Sequence, residues 1–172
     1  MIFDMPIPFL GKKQVTRMQD EGAGEEKEKR SGGDLIARLL KTRTVMVSDE
    51  VSKKMAQQVM TQLILLEGES NEDIKIFINS PGGDADAGFA IYDMMRFIKP
   101  KVKAVCAGVA ASAAVIILLG AKKEDRFSLP NARVLIHQPS TGIHGTAADI
   151  QIEASEILKC REKINRLISV ET

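Results

Sequence analysis

GVAASAAVIILLGA (residues 108–121) carries one hydroxyl, that of Ser112, in a run of small and apolar side chains. The preceding KVKAVCAG (residues 101–108) predicts a buried strand, and the apolar residues that follow Ser112 predict a buried helix. A helix N-terminus presents unpaired N–H groups and the positive end of the helix dipole. These donors could stabilise the oxyanion formed when a serine attacks a carbonyl, although a serine at a helix start is more often a cap.

Predicted strands and helices alternate before this junction. A short helix with Asp34 as its N-cap precedes the strand TVMVS, and Asp49 is expected to open the next helix. The strand IKIFINS follows, and PGGDADAG leads into a helix that Asp86 is expected to cap. Strands joined by helices of this length predict an α/β fold with a mainly parallel sheet and crossover helices. The apolar face of the helix at Asp49 comprises Val51, Met55, Val59, Leu63 and Leu66.

A fourth strand and a long helix are predicted after the junction. ARVLIHQP (residues 132–139) predicts a strand that ends at His137, with Val134, Leu135 and Ile136 buried. A glycine-punctuated segment then leads to a helix that Asp149 is expected to start, and this helix packs either on its own sheet or on another subunit. Its apolar stripe comprises Ile150, Ala154, Ile157, Ile164 and Ile168.

The composition fits one globular domain of 172 residues and excludes several functions. With 24 basic and 23 acidic residues, no tryptophan and 4% aromatic residues, the chain lacks the features of a nucleic-acid-binding protein. The uncharged run at residues 105–121 is too short for a membrane span. Cys106 and Cys160 lack metal-site spacing, so we expect reduced thiols in a cytoplasmic protein.

The first 33 residues differ in composition from the rest of the chain. Residues 11–33 mix glycines with both charges and offer little to bury, so residues 1–33 are expected to be a mobile amino-terminal region. The opening MIFDMPIPFL lacks a basic leader, which argues against a secretory signal.

Two further features bear on the serine. Gly82 and Gly83 follow a strand end, where a backbone could pass close to a substrate and aim an N–H group at it, or where a turn simply needs positive φ. A phosphate-binding P-loop would need a lysine that this turn lacks. His137 is either a structural histidine or a general base, and the second role requires the serine within hydrogen-bond reach and an orienting carboxylate.

Taken together, INSPGG, GVAASAA and LPNARVLIHQP, followed by the glycine-punctuated segment and the long helix, resemble the proteolytic subunit of the ATP-dependent Clp protease. The resemblance covers residues 34–172 and implies the crotonase-like superfold of that family. It implies an α/β head domain at residues 34–138 and a protruding handle at residues 139–172, which is the segment before the long helix and the helix itself. Residues 1–33 would then be the axial-loop region.

This resemblance also implies the site and its partners. Ser112 would be the nucleophile, His137 the general base, and the N–H groups of Gly83 and Ala113 the oxyanion hole, with no metal and no cofactor. The protein would be a serine endopeptidase that degrades unfolded polypeptides inside two stacked heptameric rings of identical subunits. Its partner would be a hexameric AAA+ unfoldase of the Clp type, which uses the ATP.

The sequence departs from the family pattern at several positions. Ala113 stands where the family usually has methionine, residues 141–142 (Thr-Gly) replace a double glycine, and His144, which has no counterpart, is expected to be an exposed loop residue. In the family, the aspartate that orients the histidine lies beyond the long helix, together with a final strand and helix. No acid of this chain matches it, and Asp125 and Asp149 are candidates only by residue type.

This missing carboxylate leaves alternatives open. The chain is either a shortened version of an active subunit or a catalytically silent ring subunit that shapes the chamber or docks a partner. A crotonase-type acyl-CoA enzyme is a third hypothesis, which depends on the oxyanion-hole glycine alone.

Overall fold

A computed structural model describes residues 34–172, so the predictions for residues 1–33 lie outside the described part. It contains a five-stranded sheet in the order β1-β2-β3-β4, in which β5 also pairs with β3. The strands are β1 (Thr44–Val47), β2 (Ile74–Ser80), β3 (Val102–Ala111), β4 (Arg126–Ser128) and β5 (Arg133–Leu135). The helices are α1 (residues 34–41), α2 (Lys53–Glu69), α3 (Ala85–Phe97), α4 (Ala113–Leu119) and α5 (Ala147–Glu171).

Every strand pairing in the sheet is parallel, as the alternation of strands and helices predicts. β3 is long enough to pair with two short strands in succession, with β4 from Ala104 to Cys106 and with β5 from Val109 to Ala111. The predicted fourth strand is therefore shorter than expected and ends at Leu135. β4 was not predicted, because its three residues are too few to show an alternating pattern.

The core consists of aliphatic side chains from the sheet and the helices. All seven residues of α4 are buried, and so are Val59, Leu63 and Leu66 of the predicted α2 face. The prediction that Asp49 opens α2 is wrong: the helix begins at Lys53, and the Ser52 side chain caps it by accepting a hydrogen bond from the Met55 N–H (3.2 Å).

Two other helix starts also differ from prediction. Asp84, and not Asp86, caps α3, since its side chain accepts a hydrogen bond from the Ala87 N–H (3.1 Å). Thr146, and not Asp149, caps α5, and the two residues form a capping box in which each side chain accepts from the other's backbone N–H. In a capping box the acidic residue occupies the third helical position, so Asp149 lies just inside the helix start rather than at it.

The prediction that residues 134–136 are buried is wrong. Val134, Leu135 and Ile136 are 48%, 54% and 53% exposed. The cause is topological, because β5 pairs with β3 on one side and, among residues 34–172, has no strand on its other side.

Helix α5 forms its ion pairs with the rest of the described fold at its C-terminal end. No residue of α5 is buried, although Ile157, Ile164 and Ile168 are half-buried along the predicted stripe. The Glu171 carboxylate forms ion pairs with Arg96 and Arg126, and it accepts a hydrogen bond from the Tyr92 hydroxyl (3.2 Å). The described helices include none that is long and apolar enough to cross a membrane.

Candidate active site

The predicted site residues meet at one edge of the sheet. In a parallel sheet the carboxyl ends of neighbouring strands open onto the same crevice. The turn after β2 supplies Gly83, the end of β3 supplies Ser112 and Ala113, and the chain beyond β5 supplies His137. All four line one cavity of about 790 Å³. The structure therefore brings together the four residues that the sequence singled out.

Ser112 occupies a strained junction between β3 and α4. Its backbone has φ 52° and ψ −120°, and Arg43 is the only other non-glycine residue within residues 34–172 that has positive φ. Such a conformation costs about 1–3 kcal/mol and is typical of functional positions. Ser112 stands at the N-cap position, yet its side chain makes no capping hydrogen bond, so the capping interpretation is wrong. The sharp strand-to-helix turn instead presents the half-buried hydroxyl to the cavity.

The backbone N–H groups of Gly83 and Ala113, which lie beside Ser112, are not used in the hydrogen bonds of the neighbouring strand and helix. Ala113 is the first residue of α4, so no carbonyl of this helix lies one turn before it. Gly83 forms a parallel bridge with Val51, in which Val51 donates to the Gly82 carbonyl and accepts from the Asp84 N–H, both at 2.8 Å. This bridge does not use the N–H of Gly83 itself. Both donors line the cavity that contains Ser112.

His137 is exposed on the cavity wall, and its Nδ1 lies 2.9 Å from the Gln138 carbonyl oxygen. Because a carbonyl only accepts, this contact suits the tautomer that carries its proton on Nδ1 and leaves Nε2 as an acceptor. Ser112 Oγ forms no hydrogen bond with any residue of the described chain, so a direct bond to His137 is not made. Catalytic hydrogen bonds are often long before substrate binds.

Neither acid that was a candidate by type contacts His137. Asp125 is buried 3.9 Å from the Lys101 ammonium group, beside the first residues of β3, whereas Ser112 follows the last residue of that strand. The side-chain and backbone hydrogen bonds from Thr146 hold the pKa of Asp149 below its usual value. Within residues 34–172, no carboxylate is hydrogen-bonded to His137.

The opposite wall of the cavity is helix α5, which the sequence analysis did not assign to the site. Cys160 lies on this wall, where burial and then the negative charge of Asp86 raise the pKa of its thiol. The thiol therefore stays protonated at neutral pH and is a poor nucleophile compared with a thiolate. Both cysteines are free, as predicted, and His144 is exposed. The regularly spaced apolar residues of α5 were the sequence feature that could have indicated its place in the cavity wall, since Ile157, Ile164 and Ile168 line it.

A serine at a strained strand-to-helix turn, a histidine and unpaired N–H groups around one cavity are the components of a serine hydrolase site. The family model of the Clp protease matches residues 26–172. The chain belongs to the Clp protease family; it is a proteolytic subunit, and the family's activity is that of a serine endopeptidase. This finding confirms the family resemblance and the fold class, and it replaces the crotonase-type hypothesis.

Individual relatives support the same assignment. The ATP-dependent Clp protease proteolytic subunit 2 of Treponema denticola is 50% identical over 151 residues, which are 86% of this chain and 76% of that protein. ClpP1 from Listeria monocytogenes is 51% identical with a TM-score of 0.70, over 80% of this chain and 76% of that chain. An Asn-to-Asp mutant of the same protein matches with 51% identity and a TM-score of 0.73, over 80% and 77% of the two chains.

Proposed function

We propose that Ser112 is the nucleophile of this peptidase and that His137 is its general base. Ser112 Oγ attacks the carbonyl carbon of a peptide bond while His137 Nε2 takes the hydroxyl proton. The carbonyl oxygen becomes an oxyanion, which the N–H groups of Gly83 and Ala113 stabilise. The observation that carries this proposal is the strained turn at Ser112, with those donors and the imidazole on the same cavity.

The remaining steps return the site to its starting state. The C–N bond breaks, His137 gives its proton to the leaving amine, and the acyl group stays on Ser112. A water molecule then loses a proton to His137 and attacks the ester. The ester C–O bond breaks, His137 returns its proton to Ser112 Oγ, and the second product leaves as a carboxylic acid.

The proposal extends to the substrate and to the assembly. Unfolded polypeptides are the substrate, because small residues on the serine side of the cavity, such as Gly82 and Ala113, leave room for an extended backbone. Identical subunits form two stacked heptameric rings in the cytoplasm, and a Clp-type AAA+ unfoldase delivers the substrate. The exposed apolar residues of β5 and α5 support association of subunits, since a monomer leaves them in water.

A fluorophosphonate probe tests the two catalytic roles on the full chain. Wild-type protein should be labelled, Ser112→Ala should not, and His137→Ala should be labelled about a hundredfold or more slowly. Ser140→Ala is the matched control, because Ser140 lines the same cavity away from the turn, and its labelling should equal that of wild type. Persistent labelling of Ser112→Ala would overturn the nucleophile assignment. Ring assembly without any labelling of the wild type would favour the silent-subunit alternative.

A further inference from the structure

The cavity around Ser112 carries a charge that differs from that of the whole protein. Its lining contains five carboxylates and two ammonium groups, which is a net charge of −3 with His137 neutral, whereas the chain has a formal net charge of +1. The acidic residues come from both walls, so the negative charge surrounds the space that a substrate occupies. They are Glu50, Asp84 and Asp86 on the serine side and Glu153 and Glu156 on α5.

Glu50 is the acidic residue whose contact with the predicted oxyanion hole is most direct. Its Cγ lies 2.9 Å from the position that a Cβ atom on Gly83 would take. Glu50 is exposed, and its carboxylate forms no hydrogen bond or ion pair in the described part of the chain. A polypeptide held by the Gly83 N–H would therefore pass beside an unpaired carboxylate.

The two lysines of the lining already have partners. Lys159 Nζ lies 2.6 Å from the Glu156 carboxylate, and Lys163 Nζ lies 3.6 Å from the centroid of the Phe89 ring. Glu153, one turn before Glu156 on the same wall, has no ion pair within residues 34–172. Since the positive charges are engaged, the cavity presents unpaired carboxylates on both of its sides, and a concave site concentrates their field.

We propose that this cavity selects polypeptide segments in which lysine or arginine flanks an apolar residue, with Glu50 and Glu153 as specificity-determining residues. This inference rests on the proposed function, because it concerns the substrate of the same site. The cationic side chains pair with the two carboxylates, and the apolar residue enters the aliphatic part of the lining. That part comprises Phe89, Ile116, Leu119, Ile157, Ile164 and Ile168.

Peptide binding to the Ser112→Ala variant tests the inference without cleavage. Two fluorescent peptides are compared by anisotropy, identical except that a central leucine is flanked by lysines in one and by glutamates in the other. The lysine peptide should bind about fivefold more tightly in low salt. The preference should fall at 1 M NaCl, where the Debye length is about 3 Å. Equal affinities, or tighter binding of the glutamate peptide, would overturn the proposal.

Neutral variants assign the effect to individual residues. In the Ser112→Ala background, Glu50→Gln and Glu153→Gln should each reduce the lysine preference. Glu162→Gln should leave it unchanged, since Glu162 is exposed on α5 and does not line the cavity. Fluorophosphonate labelling of the wild-type chain is measured separately. If the wild type is labelled but the peptides show no charge preference, only this inference is overturned. If the lysine peptide is preferred but the wild type is not labelled, the inference is supported and only the catalytic assignment is overturned.

Discussion

Gly82 packs directly against Ser112. A Cβ atom on Gly82 would lie 2.7 Å from the Ser112 Cβ and 2.4 Å from the Ala111 carbonyl oxygen, closer than real Cβ atoms approach. Gly82 also has φ +93°, which favours glycine. The turn after β2 therefore supports the strained turn at Ser112 by close backbone contact, and a side chain at position 82 would displace the serine.

Gly82→Ala should slow fluorophosphonate labelling of Ser112 at least tenfold and destabilise the protein by about 1–3 kcal/mol, because it adds both a clash and a strained φ. Labelling rates and urea denaturation measure the two effects. Gly68→Ala is the matched control: Gly68 is exposed in α2 with nothing within 4 Å of an added Cβ, so labelling should not change and stability should stay equal or rise. Normal labelling of Gly82→Ala would contradict the packing argument.

Replacing Ser112 itself separates strain from chemistry. Ser112→Gly and Ser112→Ala should both lose labelling, but Ser112→Gly should be more stable than Ser112→Ala by about 1 kcal/mol. Glycine adopts φ 52° and ψ −120° with little strain, and this gain exceeds its larger entropy loss on folding. Urea denaturation of the two variants gives the difference. If Ser112→Gly proves the less stable of the two, the turn is not strained.

The contacts of Glu171 with Arg96, Arg126 and Tyr92 anchor the C-terminal end of α5. This anchor can be tested by titrating Tyr92, the one tyrosine of the chain. Burial raises the pKa of Tyr92, the charge of Arg96 lowers it, and the charge and hydrogen bond of Glu171 raise it. Glu171→Gln should therefore lower the pKa of Tyr92, which ultraviolet titration of the phenolate reports without interference from tryptophan. Glu162→Gln should leave the titration unchanged. An unaltered pKa of Tyr92 in Glu171→Gln would show that the anchor does not form.

The capping box of α5 should respond to acid. Because hydrogen bonds from Thr146 lower the pKa of Asp149, the ionised carboxylate stabilises the helix start above its ordinary pKa, near 4. This stabilisation is lost as the pH falls through the lowered pKa. Thr146→Ala should raise the pKa of Asp149 towards the ordinary value, while Thr146→Ser should keep it low. Carboxyl NMR titration measures both, and equal pKa values in the two variants would disprove the capping box.

The parallel sheet was predictable because its evidence is local and repeated. Apolar residues recur along α2 and α4 and through β2 and β3, and only crossover connections fit their order. The first residues of the helices were harder to predict from sequence, since any of several polar residues near a turn can serve as the N-cap. Ser52, Asp84 and Thr146 cap because their backbones are extended and their side chains reach an N–H group three residues on, and that geometry depends on tertiary contacts such as the bridge at Val51.

The roles predicted for Gly83, Ser112, Ala113 and His137 came from the family resemblance, and their meeting on one cavity fits positions that follow the ends of parallel strands. The strained backbone of Ser112 could not be predicted from sequence, since a serine can adopt many conformations and this one occurs where the turn at Gly82 packs closely against it. Glu50 was missed for a similar reason: it precedes α2, far along the chain from Gly83, and meets it only through the bridge at Val51. The exposure of Val134 was also hidden, because apolar composition does not reveal whether a strand lies at an edge.

The Ser112 N–H donates a hydrogen bond to the Leu135 carbonyl (3.0 Å), two residues before the histidine. This bond ties the backbone of the serine to the last residue of β5, so the pairing of β5 with β3 sets where the chain leading to His137 begins. A slip of one residue along β3 would turn alternate side chains of β5 to the opposite face and separate the pair. The relative position of these two residues therefore depends on the short pairing of β5 with β3, which spans only Arg133–Leu135.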